Sequence, residues 1–233
     1  MKIFTFDQVT STQDLARSYL ATHAHQAAFV ANSQTKSYGK RGRSFFSPPN
    51  TGVYFSLAVP DFKLNKEKSE LLTPAIATAL VDILQSLFSS IKLKLKWVND
   101  IYLDNKKVGG ILTEYSTNGL IIGVGINIST QVFPNNLQEK AGSIIKQDFN
   151  RQKLIKSLLR AVSTCLGAYE SGAFLPQYRH LSCLLNKNIT LQLGKKVVHG
   201  IAVNINERGE LVVKSNGQLH SYSSGEVIKV ESK

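Results

Sequence analysis

Residues 93–128 read LKLKWVNDIYLDNKKVGGILTEYSTNGLIIGVGINI. Short apolar runs are separated by residues that favour turns, which predicts four strands at 93–97, 100–104, 107–116 and 120–128. Asn118-Gly119 is a type I′ hairpin signal between the last two. Strands joined this tightly must pair largely antiparallel, because a parallel pair needs a long crossover. Regular βαβ alternation is absent, which argues against a Rossmann fold. The expected class is α+β: a mixed, largely antiparallel sheet with helices on one side.

Upstream, residues 3–9 alternate as a strand. Ser11 or Thr12 can cap a helix carrying Leu15, Ala16, Tyr19 and Leu20 at helical spacing. Strands are expected at 27–33 and 52–59. Leu72, Ile76, Leu80, Ile83 and Leu87 predict a long helix, with Pro74 in its first turn behind a Thr73 cap, or as a kink. Helices follow at 151–170 and 174–185. From about residue 187 the chain turns to short strands, ITLQL, VVHGIAVNI, ELVVK and EVIKV, with Asn216-Gly217 among the turns. The expected organisation is a catalytic unit over 1–186 and an SH3-like β-barrel over 187–233.

Of the 233 residues, 42% are hydrophobic, enough for a core, and 19% are charged. Lys and Arg number 28 against 16 Asp and Glu, a net charge of +12, so anionic partners are favoured. Cys165 and Cys183 match no metal or redox spacing and read as buried thiols of a reducing compartment. The five histidines form no cluster. Neither a signal peptide nor a run approaching about 20 apolar residues is evident, so a cytoplasmic protein without membrane contact is expected.

Four stretches carry chemistry. Ser37-Tyr38-Gly39-Lys40-Arg41-Gly42-Arg43 combines backbone freed by glycine with three cations, a phosphate cradle or else an exposed basic loop. Asn99 and Asp100 interrupt an apolar strand beside Trp97. They either bend the chain or form a site in which Asp100 accepts a proton or meets a metal ion. Gly109-Gly110 beside Lys107 marks a close approach to the strand, or a bulge. Gly123-Val124-Gly125-Ile126-Asn127 lacks the third glycine of a dinucleotide fingerprint, but leaves room for a flat ligand that Asn127 can bond. There is no Walker P-loop and no serine-hydrolase elbow.

In order and content these motifs resemble the biotin–protein ligase family: Ser11-Thr12, then Gln34, the Gly39–Phe45 loop, KWVND at 96–100, KVGGIL at 107–112, GVGINI at 123–128, and Gly225-Glu226-Val227 near the end. The likeness spans nearly the whole chain. The family loop is written GRGRxGRxW; here its first Gly is Ser37, its first two Arg positions hold Tyr38 and Lys40, its third keeps Arg43, and its Trp is Phe45. Lys40 keeps the charge without the planar fork. Val98 stands where the family has Pro, a change expected to affect backbone stiffness only.

The resemblance implies the class II synthetase-like ligase fold and ATP-dependent adenylation of biotin. Transfer to a lysine of a biotin carboxyl carrier protein, or carrier domain of a carboxylase, would follow. It implies biotin contacts from Ser11, Thr12, Gln34, Gly39, Lys40, Lys107, Gly110 and Gly123. It implies ATP or adenylate contacts from Lys40, Arg41, Gly42, Arg43, Phe45, Asn99, Lys107 and Asn127. Lys107, Arg43 and Asp100 are the expected catalytic groups, with Mg²⁺ accompanying ATP and Asp100 as a candidate contact. The basic loop is expected to close over the intermediate. The first strand begins at Ile3, as in the monofunctional type, so no DNA partner is expected; both a monomer and a homodimer built by sheet extension are open. The competing readings are a lipoate–protein ligase, a nucleic-acid-binding protein and a biotin-sensing paralogue without catalysis.

Overall fold

A computed structural model describes residues 1–231. The first sheet has seven strands: β1 (Lys2–Val9), β2 (Ala27–Gln34), β3 (Gly52–Pro60), β4 (Lys94–Lys96), β5 (Asp100–Leu103), β6 (Lys106–Ser116) and β7 (Gly119–Asn127). Their order is β1-β2-β3-β7-β6-β5-β4, with β1 and β2 parallel and every other pair antiparallel. The parallel pair is joined by α1 (Thr12–Leu20), the one βαβ step in the sheet.

The strands alternate between two apolar layers. Ala28 and Val30 of β2, and Leu120, Ile122, Val124 and Ile126 of β7, face the large cluster under α2 (Ser69–Leu87) and α3 (Arg151–Leu166). Ala27, Phe29 and Ile121 face the other way, against Ala16 and Leu20 of α1. The two long helices thus share a side as expected, while α1 covers part of the opposite face. Gly123 and Gly125 also point to that face by strand alternation. Gln13 and Phe45 seat on these two glycines, and the cleft described below opens beside them.

α2 starts at Ser69, five residues before Pro74, and Thr73 does not cap it. Pro74 therefore sits inside the helix and removes one early hydrogen bond. Against that cost stand Leu71, Leu72, Ile76, Leu80, Val81 and Leu84, all buried, each contributing about 1.5–3 kcal/mol by burial. By length and composition alone the segment Lys66–Leu87 is apolar enough to cross a membrane, although charged residues interrupt it at both Glu70 and Asp82. It is apolar because it is the central core helix.

The β6–β7 hairpin forms, but not with Asn118-Gly119 at its tip. Thr117 and Asn118 make the turn, and Gly119 already pairs with Ser116. Gly119 takes φ 135°, and a Cβ there would lie 2.3 Å from the Val59 carbonyl. The paired left-handed residues of a type I′ turn occur instead at Asp104 and Asn105, φ 49° and 63°, between β5 and β6. Asn216 and Gly217, φ 51° and 80°, form another such turn between the strands Leu211–Ser215 and Gln218–Tyr222.

α3 ends at Leu166 and α4 spans Leu175–Leu181, both shorter than expected. The second sheet has five antiparallel strands, in the order β11-β10-β9-β8-β12. They are β8 (Asn188–Leu193), β9 (Lys196–Ile205), β10 (Leu211–Ser215), β11 (Gln218–Tyr222) and β12 (Glu226–Val230). Its edge strands β11 and β12 do not pair among the described residues, so the ladder is open. One apolar cluster runs from the first sheet into the second, through Trp97, Leu184, Leu191 and Leu211. Cys165 is buried and its thiol is pushed up to about 11; Cys183 is half-buried, and both are free.

Candidate active site

A cleft of about 200 Å³ opens on the α1 face, where the N-terminus of α1, the basic loop, β6, β7 and Glu226 of β12 converge. At one end the lining is polar and uncharged. Ser11 caps α1, accepting from the Gln13 N–H at 3.2 Å. Thr12 donates through its backbone N–H to Gln34 Oε1 at 2.8 Å, and its hydroxyl lies 3.1 Å from the same oxygen. That hydroxyl is also 2.9 Å from Ser56, which donates to Gln13 Oε1 at 2.9 Å. Gln13 Nε2 donates to Glu114 at 2.7 Å, and Arg17 holds Glu114 at 2.6 Å. Ser11, Thr12, Gln13 and Ser56 are all buried.

The other end is cationic. Lys107 Nζ pairs with Asp100 Oδ1 at 2.6 Å. Lys40 and Lys96 point into the same space, and burial shifts both below the ordinary lysine range. The basic loop is folded on itself: Gly39 N–H donates to Arg43 O at 2.7 Å and Phe45 N–H to Ser37 O at 3.0 Å. Arg41 takes φ 63° and Gly42 φ 71°. Arg41 and Arg43 both pair with Glu226, the former at 3.1 Å. Tyr38 donates to Asp14 at 2.8 Å and accepts from Arg17 at 3.0 Å, tying the loop to α1.

Thirteen residues singled out in the sequence line this cleft: Ser11, Thr12, Gln34, Gly39, Lys40, Arg41, Arg43, Phe45, Asn99, Asp100, Lys107, Gly110 and Gly123. Gly42 and Asn127 do not. Asn127 lies beyond Phe45 on β7, is 3% exposed, and its Oδ1 has no hydrogen-bond partner. Asn99 reaches the cleft, but its amide donates to Ile111 O at 2.9 Å, which pins it to β6.

The glycines act differently from the expectation that they make room for a ligand. A Cβ on Gly123 would meet Gln13 Oε1 at 2.4 Å, and one on Gly125 would meet the Phe45 ring at 2.7 Å. One on Gly110 would touch Lys107 Nζ at 3.3 Å. Each glycine seats a side chain that faces the cleft.

Gln13, Ser56, Glu114 and Glu226 received no role from the sequence. Ser56 carried a signal: a lone hydroxyl in the buried strand VYFSLAV needs a partner. Among the described residues, no group of three or more His, Cys, Asp or Glu side chains could hold a metal ion. Asp100 is already paired with Lys107. The donor set does not build a protein-held Mg²⁺ site; such an ion would be carried by nucleotide phosphates.

Residues 5–130 match the model of the Biotin/lipoate A/B protein ligase family, and residues 184–230 that of the Biotin protein ligase C terminal domain. The bifunctional ligase/repressor BirA of Escherichia coli is 25% identical over 213 residues, 86% of this chain; the chain spans 65% of that relative's length. The biotin–[acetyl-CoA-carboxylase] ligase of Mycobacterium tuberculosis is 25% identical, covering 94% of this chain and 85% of the relative. The biotin protein ligase of Aquifex aeolicus, solved with biotin and ATP, superposes with a TM-score of 0.85 at 26% identity and 97% coverage of both chains. As the first of these family models covers more than half of its length, the chain belongs to the biotin/lipoate A/B protein ligase family.

Proposed function

We propose that this protein is an ATP-dependent biotin–protein ligase. One observation carries the reading. A single cleft joins an uncharged hydrogen-bonding end (Ser11, Thr12, Gln34) to a cationic end (Lys107, Lys40, Arg43), where Lys107 pairs with Asp100. A neutral cyclic urea fits the first end. A carboxylate and a triphosphate, which repel each other, need the second. The biotin and ATP held by the A. aeolicus enzyme, and the name of the M. tuberculosis relative, support the same reading.

In the first step a biotin carboxylate oxygen attacks the α-phosphorus of ATP. The bond to pyrophosphate breaks and pyrophosphate leaves, giving biotinyl-5′-AMP. Lys107 sits where it can neutralise both anions; Arg43, Arg41 and Lys40 meet the phosphates, and Phe45 covers the adenylate. In the second step a neutral lysine amine of a biotin carboxyl carrier protein attacks the acyl carbon and AMP leaves. Asp100 takes the amine proton. A homodimer formed by sheet extension at the edge strand β1 belongs to the same proposal, since the outer edge of β4 is taken by the bridge from Leu95 to Ser182.

The test is to incubate the protein with biotin, ATP and Mg²⁺ and look for biotinyl-5′-AMP by mass spectrometry. Lipoyl-AMP formed from lipoate in its place would move the assignment to lipoate–protein ligase. Neither product would favour a binding protein.

Two variants probe the roles separately. Asp100→Asn is expected to slow transfer from preformed biotinyl-5′-AMP by about 10²-fold, the worth of a positioned base. Full transfer would remove Asp100 as base. Gly123→Ala places a methyl group 2.4 Å from Gln13 Oε1. It is expected to raise the KM for biotin about ten-fold by displacing Gln13 and to leave the KM for ATP within two-fold. Equal rises in both would mean a general collapse of the cleft.

A further inference from the structure

The hydrogen bonds behind the uncharged end of the cleft have a direction. Glu114 is an ionised acceptor held by Arg17 at 2.6 Å, so the Gln13 amide must present Nε2 to it, at 2.7 Å. Gln13 Oε1 then faces Ser56 and can only accept, which commits the single Ser56 proton to it, at 2.9 Å. The Thr12 hydroxyl has two neighbours, Ser56 Oγ at 2.9 Å and Gln34 Oε1 at 3.1 Å. Neither has a proton to give it: that of Ser56 is committed, and Gln34 Oε1 is a carbonyl already accepting from the Thr12 N–H. The Thr12 proton therefore stays inside the protein and its oxygen meets the cleft with a lone pair. Ser11 is the reverse case. It accepts from the Gln13 N–H at 3.2 Å, so its proton is free for the ligand.

We infer that Gln13, Ser56 and Glu114, with Arg17 as anchor, are positioning residues that orient protons. They make Thr12 an acceptor and leave Ser11 a donor, and so select a ligand that offers N–H groups beside a carbonyl. The inference rests on the biotin reading above and adds to it why this end rejects a head group without N–H. Glu114 lies 101 residues from Gln13 in sequence, and neither Glu114 nor Arg17 lines the cleft. The gap over β7 needed for Gln13 is supplied by Gly123, where a Cβ would lie 2.4 Å from Oε1.

The test uses Glu114→Gln, which keeps the shape but lets the Gln13 amide turn over and releases the Ser56 proton toward Thr12. Gln13→Met removes the relay altogether. The probes are biotin and its two cyclic carbamate analogues, in which one or the other ureido N–H is replaced by oxygen. Binding is measured by calorimetry on each folded protein, so the readout does not depend on turnover. The wild type is expected to prefer biotin to at least one carbamate by about 100-fold, and each variant to narrow that ratio about ten-fold, the effect of one misdirected hydrogen bond. A packing defect alone would weaken all three ligands equally and leave the ratio in place. An unchanged ratio in Glu114→Gln, or in Gln13→Met should only that variant fold, overturns the relay. Discrimination by a wild type that forms no biotinyl-5′-AMP would instead count against the catalytic reading alone. A wild type that binds lipoate in preference to biotin overturns both.

Discussion

Lys107→Ala is expected to lower the rate of biotinyl-5′-AMP formation by about 10²–10³-fold, the usual effect of removing one preorganised charge from a developing anion. The reacting carboxylate and the α-phosphate approach each other as two anions, and the ammonium between them must be fixed beforehand to lower the barrier. Lys107 is fixed on both sides. Asp100 holds its Nζ at 2.6 Å, and the absent side chain of Gly110 leaves the space the Nζ occupies. The other cations nearby cannot replace it. Arg41 and Arg43 are turned to Glu226, and burial makes Lys40 and Lys96 release their protons more readily than an exposed lysine. The deletion also leaves Asp100 unpaired, placing a bare carboxylate where the biotin carboxylate must come. Lys107→Arg should recover only part of the loss, because the planar guanidinium is bulkier than the space over Gly110 and spreads its charge. Single-turnover formation of the adenylate, followed by mass spectrometry, reads the result. A loss of less than about ten-fold would pass the bridging role to the loop.

The strands and motifs of residues 93–128 were legible because their signals are local. Turn residues, glycines within strands and a carboxylate after Trp97 can all be read within a few positions. Local rules failed where a distant part of the chain decides. Position 119 calls for glycine because a Cβ there would meet the Val59 carbonyl of β3 at 2.3 Å, not because it completes a type I′ turn. Pro74 sits within α2 because the burial of Leu71 and Leu72 favours helix on its N-terminal side. β11, Gln218–Tyr222, has no buried residue and so no alternation to read. The layer in which α1 lies depends on which side of β2 and β7 its Ala16 and Leu20 meet. In the cleft, the charged and hydroxyl residues beside the motifs could be named, but not their partners. Glu226 lies 185 residues from Arg41 and Ser56 lies 43 from Gln13, separations at which spacing carries no information. Gly110 and Gly123 were recognised as marking close approach, yet what approaches is a neighbouring side chain.

Trp97→Ala is expected to destabilise the fold by about 3–5 kcal/mol, the range for truncating a large buried aromatic residue. Two costs combine in that figure. The indole is 4% exposed within the cluster that joins the two sheets, so its loss leaves a cavity at the joint. Its Nε1–H donates to the Gly209 carbonyl at 3.0 Å, across 112 residues, and the carbonyl would lose that partner. Little relaxation is available to close the gap. Gly209 takes φ 78°, its N–H bonds back to Asn206 O at 2.9 Å, and a Cβ there would meet the Glu70 carbonyl of α2 at 3.0 Å. The β9–β10 turn is therefore fixed against both Trp97 and α2. Trp97→Phe keeps most of the ring and loses the N–H, so its cost should be smaller, about 1–3 kcal/mol, the penalty of an unsatisfied buried carbonyl. For a chain of this size each kcal/mol lowers Tm by about 2–4 °C, which puts the alanine variant roughly 6–20 °C below the parent in thermal denaturation. Urea unfolding monitored on the variants would check the order Ala, Phe, wild type. Trp97 also lines the cleft, so activity must be assayed well below the variant's transition to separate a lost site from a lost fold. A Tm within 2 °C of the parent for Trp97→Ala would mean that the second sheet is fastened elsewhere, with the α4 contacts through Arg179 and Ile205 O, 2.6 Å apart, next in line.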